Sequence, residues 1–341
     1  MKRPILLALF AVLFAFALPP LLYVPGDRPA EPELSPLSAE SPAPAEETAP
    51  PSPVPVLDAG ISLRLLTEEG VQEMTMAEYL PLALAGEMPA AFAPDALKAQ
   101  AVALRSYALY WQAQPKDAHP EADICCSAAC CCARADPEAL RESWGENYDL
   151  YYEKICTAVR ETDGQYLVWE EEPALAVFHA SSAGQTESGT ALGLPRSYLV
   201  SVDSPETEET VPSLCTTVEV TAEEFRSAVL SLSPGAALDG DPSGWLGHTA
   251  LDTAGRVTGM EIGGENISGL ALRQLFSLRS TAFTLERTEA GFLFHVRGYG
   301  HGLGMSQQGA NLMAKAGADY ATILRHYYPG TGLVIALRSG T

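Results

Sequence analysis

The sequence predicts an α+β fold for the part of the chain that follows residue 56. Two observations lead to this prediction. Short strand-like runs are mixed with helical segments that carry recognisable N-terminal capping signals. The two kinds of segment do not alternate as a regular strand–helix repeat, which is the pattern that builds a parallel sheet. With 341 residues, the chain is long enough for one large domain or two medium ones.

The first two helices are predicted from their end signals. Thr75 and Glu78 have the spacing of a capping box, which begins a helix that should end near Gly86. Pro94 suits the first turn of a second helix, which should extend to about Gln112.

The remaining elements follow from the same rules. Thr221 and Glu224 form a second capping box, and a last helix over Ala318–Tyr327 is stopped by Pro329 and Gly330. The predicted strands are Tyr166–Trp169, Ala174–His179, Thr216–Val220, Val257–Ile262 and Phe292–Val296.

The first 24 residues predict a membrane anchor. Lys2 and Arg3 precede an apolar run from Ile5 to Val24, and about 20 apolar residues span a bilayer core. The basic flank keeps the N-terminus cytoplasmic, so the rest of this single-pass protein would lie outside the cytoplasm. A signal peptide cleaved after Ala15-Phe16-Ala17 is the alternative. We favour the uncleaved anchor because apolar residues continue to Val24.

Residues 25–56 predict an extended linker. This segment is rich in Pro, Glu, Ala and Ser and shows no apolar periodicity, so it can form neither regular structure nor a core. Such a segment would hold a domain over residues 57–341 away from the membrane. The whole chain carries 43 acidic and 21 basic residues, a net charge of -22, which argues against binding to nucleic acid.

Gly298–Ala310 contains five glycines among thirteen residues. Such a run is unfavourable inside a helix or strand and is typical of a backbone that turns sharply or passes close to another group. Because it surrounds His301 and continues into Ser306 and Gln307, we predict that this loop helps to build a site. A glycine-rich hairpin with a surface histidine is the simpler alternative.

Glu87 is the acidic residue that the sequence places between the first two helices, beside apolar neighbours. Partial desolvation there would raise the pKa of its carboxyl group, as a general acid at neutral pH requires. An ordinary solvated glutamate is the alternative. Lys98 and Arg105 are seven residues apart and therefore share one side of the second helix.

Three motifs carry a family resemblance: Glu87-Met88-Pro89, the helical segment Pro94–Ala108 and the glycine segment. In this order they resemble the signatures of the stage II sporulation protein D family, the peptidoglycan lytic transglycosylases of the engulfing membrane. The resemblance extends from about residue 60 to the C-terminus. It implies a two-lobed catalytic domain, Glu87 as the catalytic glutamate, and Lys98 and Arg105 as substrate-binding residues.

Two further loops resemble family motifs. Phe178–Glu187 is similar to the family's His-Ser-Thr-Ser-Gly-Gly loop, with changes at Ala180, Ser181 and Ala183. The glycine segment is similar to Gly-Trp-Gly-His-Gly-x-Gly-Met-Ser-Gln-x-Gly-Ala, with tyrosine in the place of tryptophan. The resemblance therefore implies these substrate-binding residues: His179, Ser182, Tyr299, His301, Ser306 and Gln307.

Five of the seven cysteines lie between residues 125 and 132. His119, Cys125 and Cys131 stand at intervals of six and resemble a His-x5-Cys-x5-Cys zinc motif of some family members. Three such ligands suit tetrahedral zinc, with the fourth position open to water or to another residue. Cys126, Cys130, Cys132 or Cys156 could complete the site or replace one of the three ligands. Disulfides and free thiols are the alternatives outside the cytoplasm. We expect zinc to order a loop beside the cleft.

The resemblance implies a membrane-anchored enzyme that trims glycan strands already stripped of stem peptides, during engulfment of a forespore. It also implies two partners, a cell-wall amidase and a membrane engulfment complex. Two alternatives remain open: a non-catalytic glycan-binding module, and a zinc-dependent hydrolase. The binding module would form no products, and the hydrolase would form products with reducing ends, unlike the transglycosylase.

Overall fold

The computed structural model describes residues 57–336. The helices are α1 (Met76–Glu87), α2 (Pro94–Ala113), α3 (Pro137–Trp144), α4 (Tyr148–Glu161), α5 (Ala222–Leu232), α6 (Gly269–Leu275), α7 (Gln307–Lys315) and α8 (Tyr320–Tyr327). The strands are β1 (Ser62–Thr67), β2 (Gly70–Thr75), β3 (Ile124–Cys125), β4 (Gln165–Trp169), β5 (Glu172–Pro173), β6 (Phe178–His179), β7 (Cys215–Thr221), β8 (Leu246–Leu251), β9 (Val257–Ile262), β10 (Glu265–Ser268), β11 (Phe283–Arg287), β12 (Gly291–Arg297), β13 (Met305–Ser306) and β14 (Gly332–Ile335).

The sheets are small and mostly antiparallel. Four of them have three strands, in the orders β2-β1-β3, β14-β4-β5, β10-β9-β8 and β11-β12-β7. Strands β6 and β13 form a two-stranded parallel pair in which Phe178 faces Met305 and His179 faces Ser306. This short pair joins the glycine segment to the loop that follows His179, so it fixes two of the predicted site motifs against each other.

The buried apolar residues form two clusters. The first combines residues 63–199 with residues 305–328 and surrounds α2, which packs against α1, α4, α7, α8 and β4. The second consists of residues 225–296 and centres on stacked aromatic rings, among them Phe225 and Phe292 at a centroid distance of 4.1 Å. The chain therefore leaves the first cluster, builds the second, and returns through the glycine segment.

The predicted α+β class is confirmed, and so are most of its elements. Both capping boxes are present, with Thr75 and Thr221 accepting hydrogen bonds from Glu78 N and Glu224 N. Pro94 is the first residue of α2. The capping residue of α8 is Asp319, so this helix begins two residues later than predicted.

The predicted strand Ala174–His179 is wrong over its first four residues. Only Phe178 and His179 pair with a neighbouring strand. The preceding backbone is buried, but tyrosine side chains satisfy its polar groups: Leu175 N donates to Tyr198 Oη at 2.7 Å, and Tyr328 Oη donates to Val177 O at 2.8 Å. An apolar run can thus be buried without a ladder when side chains supply the hydrogen bonds.

No helix within residues 57–336 is long and apolar enough to cross a bilayer. The anchor over residues 1–24 and the linker over residues 25–56 lie outside the described residues, so both remain predictions from the sequence.

Candidate active site

A cavity of about 580 Å³ lies where the two apolar clusters meet. Its walls come from the end of α1, the cysteine loop (residues 126–136, between β3 and α3), β6 and the loop after it, the glycine segment, and the stretch that contains α6. The polar and charged residues on these walls are Glu87, Tyr107, Cys130, Cys131, Cys132, His179, Ser181, Ser213, Arg273, Arg279, Tyr299, His301, Gln307 and Gln308. Five of the predicted substrate-binding and catalytic residues therefore face one space: Glu87, His179, Tyr299, His301 and Gln307.

Glu87 is the last residue of α1, rather than the first residue after it. The capping box at Thr75 sets where the helix begins. Its end is held by Met88, which is buried in the first cluster and whose N–H donates to Leu84 O. The cysteine loop crosses this end closely: a Cβ on Gly86 would lie 2.9 Å from Ala135 N and 3.1 Å from Ala133 O. The missing side chain at Gly86 thus permits Ala133 N to donate a hydrogen bond to Glu87 Oε1.

Burial raises the pKa of the Glu87 carboxyl to about 7, against the lowering effect of the Ala133 hydrogen bond. Desolvation dominates because one backbone donor replaces only part of the hydration that a carboxylate loses. Within the described residues Glu87 is also the only carboxylate on the cavity wall. The cavity therefore contains one acid whose pKa suits both donation and acceptance of a proton near neutral pH.

His179 and Ser182 form a hydrogen-bonded pair that points into the protein. Ser182 Oγ lies 2.7 Å from His179 Nε2, and His179 Nδ1 lies 3.1 Å from Leu303 O. Burial, with His301 and Arg256 nearby, lowers the pKa of His179 well below its usual value, so the ring is neutral and donates from Nδ1 to the carbonyl. Ser182 is 0% exposed and does not line the cavity, which corrects its expected role in substrate contact.

Glu206 holds the loop after β6 in place, a role that was not predicted from the sequence. Its Oε1 accepts hydrogen bonds from Ser182 N at 2.8 Å and from Ser306 Oγ. Ser306 is also the N-cap of α7 and is fully buried, so its expected substrate contact is likewise corrected. Glu206 lies in no recognisable motif, and only the fold shows that it joins two loops that are far apart in sequence.

The alternate glycines of the glycine segment all have positive φ, from 64° to 110°. At Gly300 a Cβ would lie 2.8 Å from His179 Cβ. Any other residue there would be strained and would push the loop away from β6. The spacing of the glycines therefore reflects a backbone that must lie flat against its neighbour, as predicted.

The cavity wall formed by this loop and by the loop after β6 carries the residues that can meet a ligand. Gln307 is 6% exposed, lines the cavity, and its Nε2 has no hydrogen-bond partner in the described part of the chain. The same is true of Ser181 Oγ, whose residue is 5% exposed. Buried polar atoms without partners are costly, so both atoms point to a polar ligand. The Tyr299 ring lies beside them on the same wall.

His301 also faces the cavity. Its Nδ1 accepts a hydrogen bond from Leu303 N at 3.0 Å, and its ring centroid lies 5.8 Å from that of His179. Burial, together with Arg273 and Arg256, lowers the pKa of His301 to about 3. Both histidines are therefore neutral at physiological pH, and neither can protonate a substrate there.

Lys98 and Arg105 do not line the cavity, contrary to expectation. Lys98 Nζ lies 2.5 Å from Glu161 Oε2, a contact that ties α2 to α4. Arg105 is 0% exposed; its Nε and Nη2 donate to the two carboxylate oxygens of Asp58 at 2.7 Å each, and its Nη1 donates to Gln165 O. A fully enclosed guanidinium cannot contact substrate, so Arg105 stabilises the fold around α2.

His119, Cys125, Cys130 and Cys131 form a possible metal site, with one ligand atom from each lying within 4.8 Å of all the others. Sulfur atoms bound to one tetrahedral zinc are about 3.8 Å apart. The Sγ atoms of Cys130 and Cys131 are 4.0 Å apart, and His119 Nε2 lies 3.3 Å from Cys131 Sγ. The predicted triad is therefore brought together, and Cys130 supplies a fourth candidate ligand.

The chemistry of these four side chains suits a metal. His119 Nδ1 donates to Ala122 O at 3.1 Å, which leaves the Nε2 lone pair directed at the cysteines. A hydrogen bond with Cys125 and the nearby charge of Lys116 lower the pKa of Cys131 to about 4, so this residue holds the thiolate form that metals bind. All seven cysteines of the chain lie within residues 57–336, and none of them forms a disulfide.

Comparison with known proteins agrees with the motifs. The family model for Stage II sporulation protein matches residues 67–169. Stage II sporulation protein D of Bacillus subtilis (strain 168) is 32% identical over 306 residues, which cover 88% of this chain and 85% of that protein. The protein of the same name from Bacillus amyloliquefaciens is 31% identical over 294 residues, covering 85% and 81%. The Amidase enhancer of Bacillus subtilis (strain 168) is 47% identical over 55 residues, 16% of this chain and 8% of that protein. Because relatives of this similarity align along most of both chains, the chain belongs to the stage II sporulation protein D family.

Proposed function

We propose that this chain is a lytic transglycosylase that cleaves the MurNAc–GlcNAc bond of peptidoglycan glycan strands stripped of stem peptides. One observation carries the proposal: among residues 57–336, a single carboxylate lines the cavity, that of Glu87, and burial raises its pKa to about 7. A hydrolytic glycosidase normally needs a second carboxylate, as base or nucleophile. A transglycosylase does not need one, because the substrate supplies its own nucleophile.

Glu87 serves as acid and then as base. The protonated carboxyl donates its proton to the glycosidic oxygen, and the bond from that oxygen to the muramyl anomeric carbon breaks. The C6 hydroxyl of the same sugar forms a new bond to that carbon, and the Glu87 carboxylate takes its proton. The products are a 1,6-anhydro sugar and a free GlcNAc hydroxyl, and Glu87 is protonated again. An intramolecular nucleophile has a high effective concentration, so no activated water is required.

The other cavity residues would hold the sugars. Ser181 Oγ and Gln307 Nε2 can bond to hydroxyl or acetamido groups, which would give partners to two buried polar atoms. The Tyr299 ring offers an apolar face on which a sugar ring can stack. The neutral His179 holds the short parallel strand pair together through Leu303 and Ser182, and in this way orients the loop that carries Ser181.

We propose that the metal is zinc, held by His119, Cys125, Cys130 and Cys131. With four protein ligands, it would crosslink the cysteine loop and would have no open position for substrate. The loop needs such support because it carries Ala133, whose N–H meets Glu87, and yet forms no long element of its own.

The cellular setting that we propose comes from the sequence and the relatives. The apolar N-terminus would anchor the protein in the cell membrane with the domain outside the cytoplasm. The family's name refers to sporulation, which favours a role in engulfment beside a membrane engulfment complex. A short match to a protein named Amidase enhancer favours a cell-wall amidase as partner. Such an amidase would produce the peptide-free strands.

The test is mass spectrometry of peptide-free glycan strands after incubation with residues 57–341, as wild type and as Glu87→Gln. Glu289→Gln, at an exposed position, is the matched control. We expect anhydromuramyl products from the wild type and the control, and none from Glu87→Gln, which should still bind glycan. Reducing-end products, abolished by chelation, would instead support a zinc-dependent hydrolase. Binding without any product would support a glycan-binding module.

A further inference from the structure

The charges on the cavity wall are opposite in sign to the charge of the chain. The protein has a net charge of -22. On the wall, however, two arginines, Arg273 and Arg279, face the single carboxylate of Glu87, which is partly protonated near neutral pH. The two wall histidines are neutral. Even with the Cys131 thiolate counted as one negative charge, the two arginines leave the cavity with a small net positive charge. A positive cavity in a strongly acidic protein indicates an anionic ligand.

Both guanidiniums retain hydrogen-bond donors for such a ligand. Arg273 Nε donates to Leu278 O at 3.2 Å, and Arg279 Nη1 lies 3.4 Å from Ser213 O. Within residues 57–336 neither arginine forms an ion pair with an acidic side chain. Burial and the charge of Arg256 lower the pKa of Arg273 only to about 10, so it remains a cation at neutral pH.

Arg279 lies next to the aromatic ring on which we propose that a sugar stacks. Its guanidinium carbon lies 5.2 Å from the centre of the Tyr299 ring, a cation–π arrangement that places the charge against the wall on which a sugar would stack. Guanidiniums form their strongest and most specific pairs with carboxylates, to which two N–H groups can donate in parallel. An anionic group on the sugar itself would therefore meet Arg279.

We propose that Arg273 and Arg279 bind the lactyl carboxylate of the muramyl residue, and that this contact selects glycan whose stem peptides have been removed. When a stem peptide is attached, the lactyl carbonyl is part of an amide and has no charge. Removal of the peptide converts this lactyl carbonyl group into a carboxylate. The inference rests on the proposed function, because it places a muramyl sugar in the cavity. The reaction that supplies the substrate is then hydrolysis of this amide.

The experiment measures the binding of three muramyl tetrasaccharides to the Glu87→Gln protein by calorimetry. They carry a free lactyl carboxylate, a lactyl carboxamide, or a stem peptide. The carboxamide has the size of the acid without its charge, and the stem peptide supplies carboxylates at other positions. The same ligands are titrated against the protein with Arg279→Met added. Arg287→Met is the control, since it removes one positive charge from an exposed arginine outside the cavity wall.

We expect the free carboxylate to bind about 10- to 100-fold more tightly than the carboxamide, as for a lost charge-assisted hydrogen bond. Arg279→Met should abolish most of this preference and leave carboxamide binding within about twofold; Arg279→Lys should restore part of it, and Arg287→Met should not change it. Equal binding of acid and carboxamide would overturn the inference while leaving the proposed function intact. So would an Arg279-dependent preference for the peptide-bearing glycan. Failure of all three ligands to bind would overturn the proposed function itself.

Discussion

Replacement of Glu87 by glutamine should stabilise the protein at high pH. The pKa of this carboxyl is raised from 4.5 to about 7, so the folded protein binds more protons than the unfolded chain between these values. The stability of the wild type therefore falls as pH rises from about 4.5 to 7 and is constant above that range. Glutamine resembles the protonated acid and can still accept the Ala133 hydrogen bond. The shift corresponds to about 3 kcal/mol, which is an upper limit.

Thermal unfolding at pH 4.5 and pH 8.5, with the same metal content in each sample, measures this effect. At pH 4.5 the two proteins should unfold at nearly the same temperature. At pH 8.5 Glu87→Gln should have a Tm higher by on the order of 5 °C. The exposed control Glu289→Gln should show no such pH-dependent difference. A Glu87→Gln protein with the same Tm difference at both pH values would refute the argument that burial raises this pKa.

Three further predictions concern the acid, the metal and the fold. The kcat/KM for glycan cleavage should fall above about pH 7, by about tenfold per pH unit, because the protonated form of Glu87 is lost; a profile that stays flat to pH 9 would exclude it as the acid. Metal analysis should find one zinc ion per chain, lost with Cys130→Ser and kept with Cys126→Ser; equal loss in both variants would argue against Cys130 as a ligand. Asp58→Ala should destabilise the protein by about 3–5 kcal/mol in urea, because it leaves a buried guanidinium unpaired. Glu153→Ala, which breaks an exposed ion pair, should lower the free energy of unfolding by less than about 1 kcal/mol. Similar losses of stability in the two variants would contradict a structural role for the buried Arg105–Asp58 pair.

Local signals in the sequence were sufficient to place Glu87 at the end of the first helix, whereas its catalytic role was implied by the family resemblance. The capping box at Thr75 sets where α1 begins, and Pro94 sets where α2 begins, so Glu87 had to lie in or beside the short connection between them. Such signals act over one helical turn and need no knowledge of the rest of the fold. The alternate glycines were informative for the same reason, because positive φ is a property of single residues.

Which side chains face the cavity depends on long-range contacts, and here the sequence was less informative. Ser181 and Ser182 are adjacent, yet only Ser181 lines the cavity, because Glu206 and His179 turn Ser182 inward. The family resemblance implied a ligand-binding role for Arg105, but the structure places Asp58 beside it, 47 residues away in the chain. No periodicity or spacing records such pairings.

The position of the His–Cys cluster would allow the proposed metal ion to act on Glu87 without taking part in bond breaking. The cysteine loop does two opposite things to Glu87: it covers the carboxyl, which raises its pKa, and it donates the Ala133 N–H, which lowers it. Burial is the larger effect, so the pKa of Glu87 depends on how well the groups around the end of α1, this loop among them, exclude water. Ligands at His119, Cys125, Cys130 and Cys131 would tie this loop to β3 and to the segment before β3 through one ion. An ion held there by four protein ligands would therefore act on Glu87 indirectly, by fixing the loop against the end of α1.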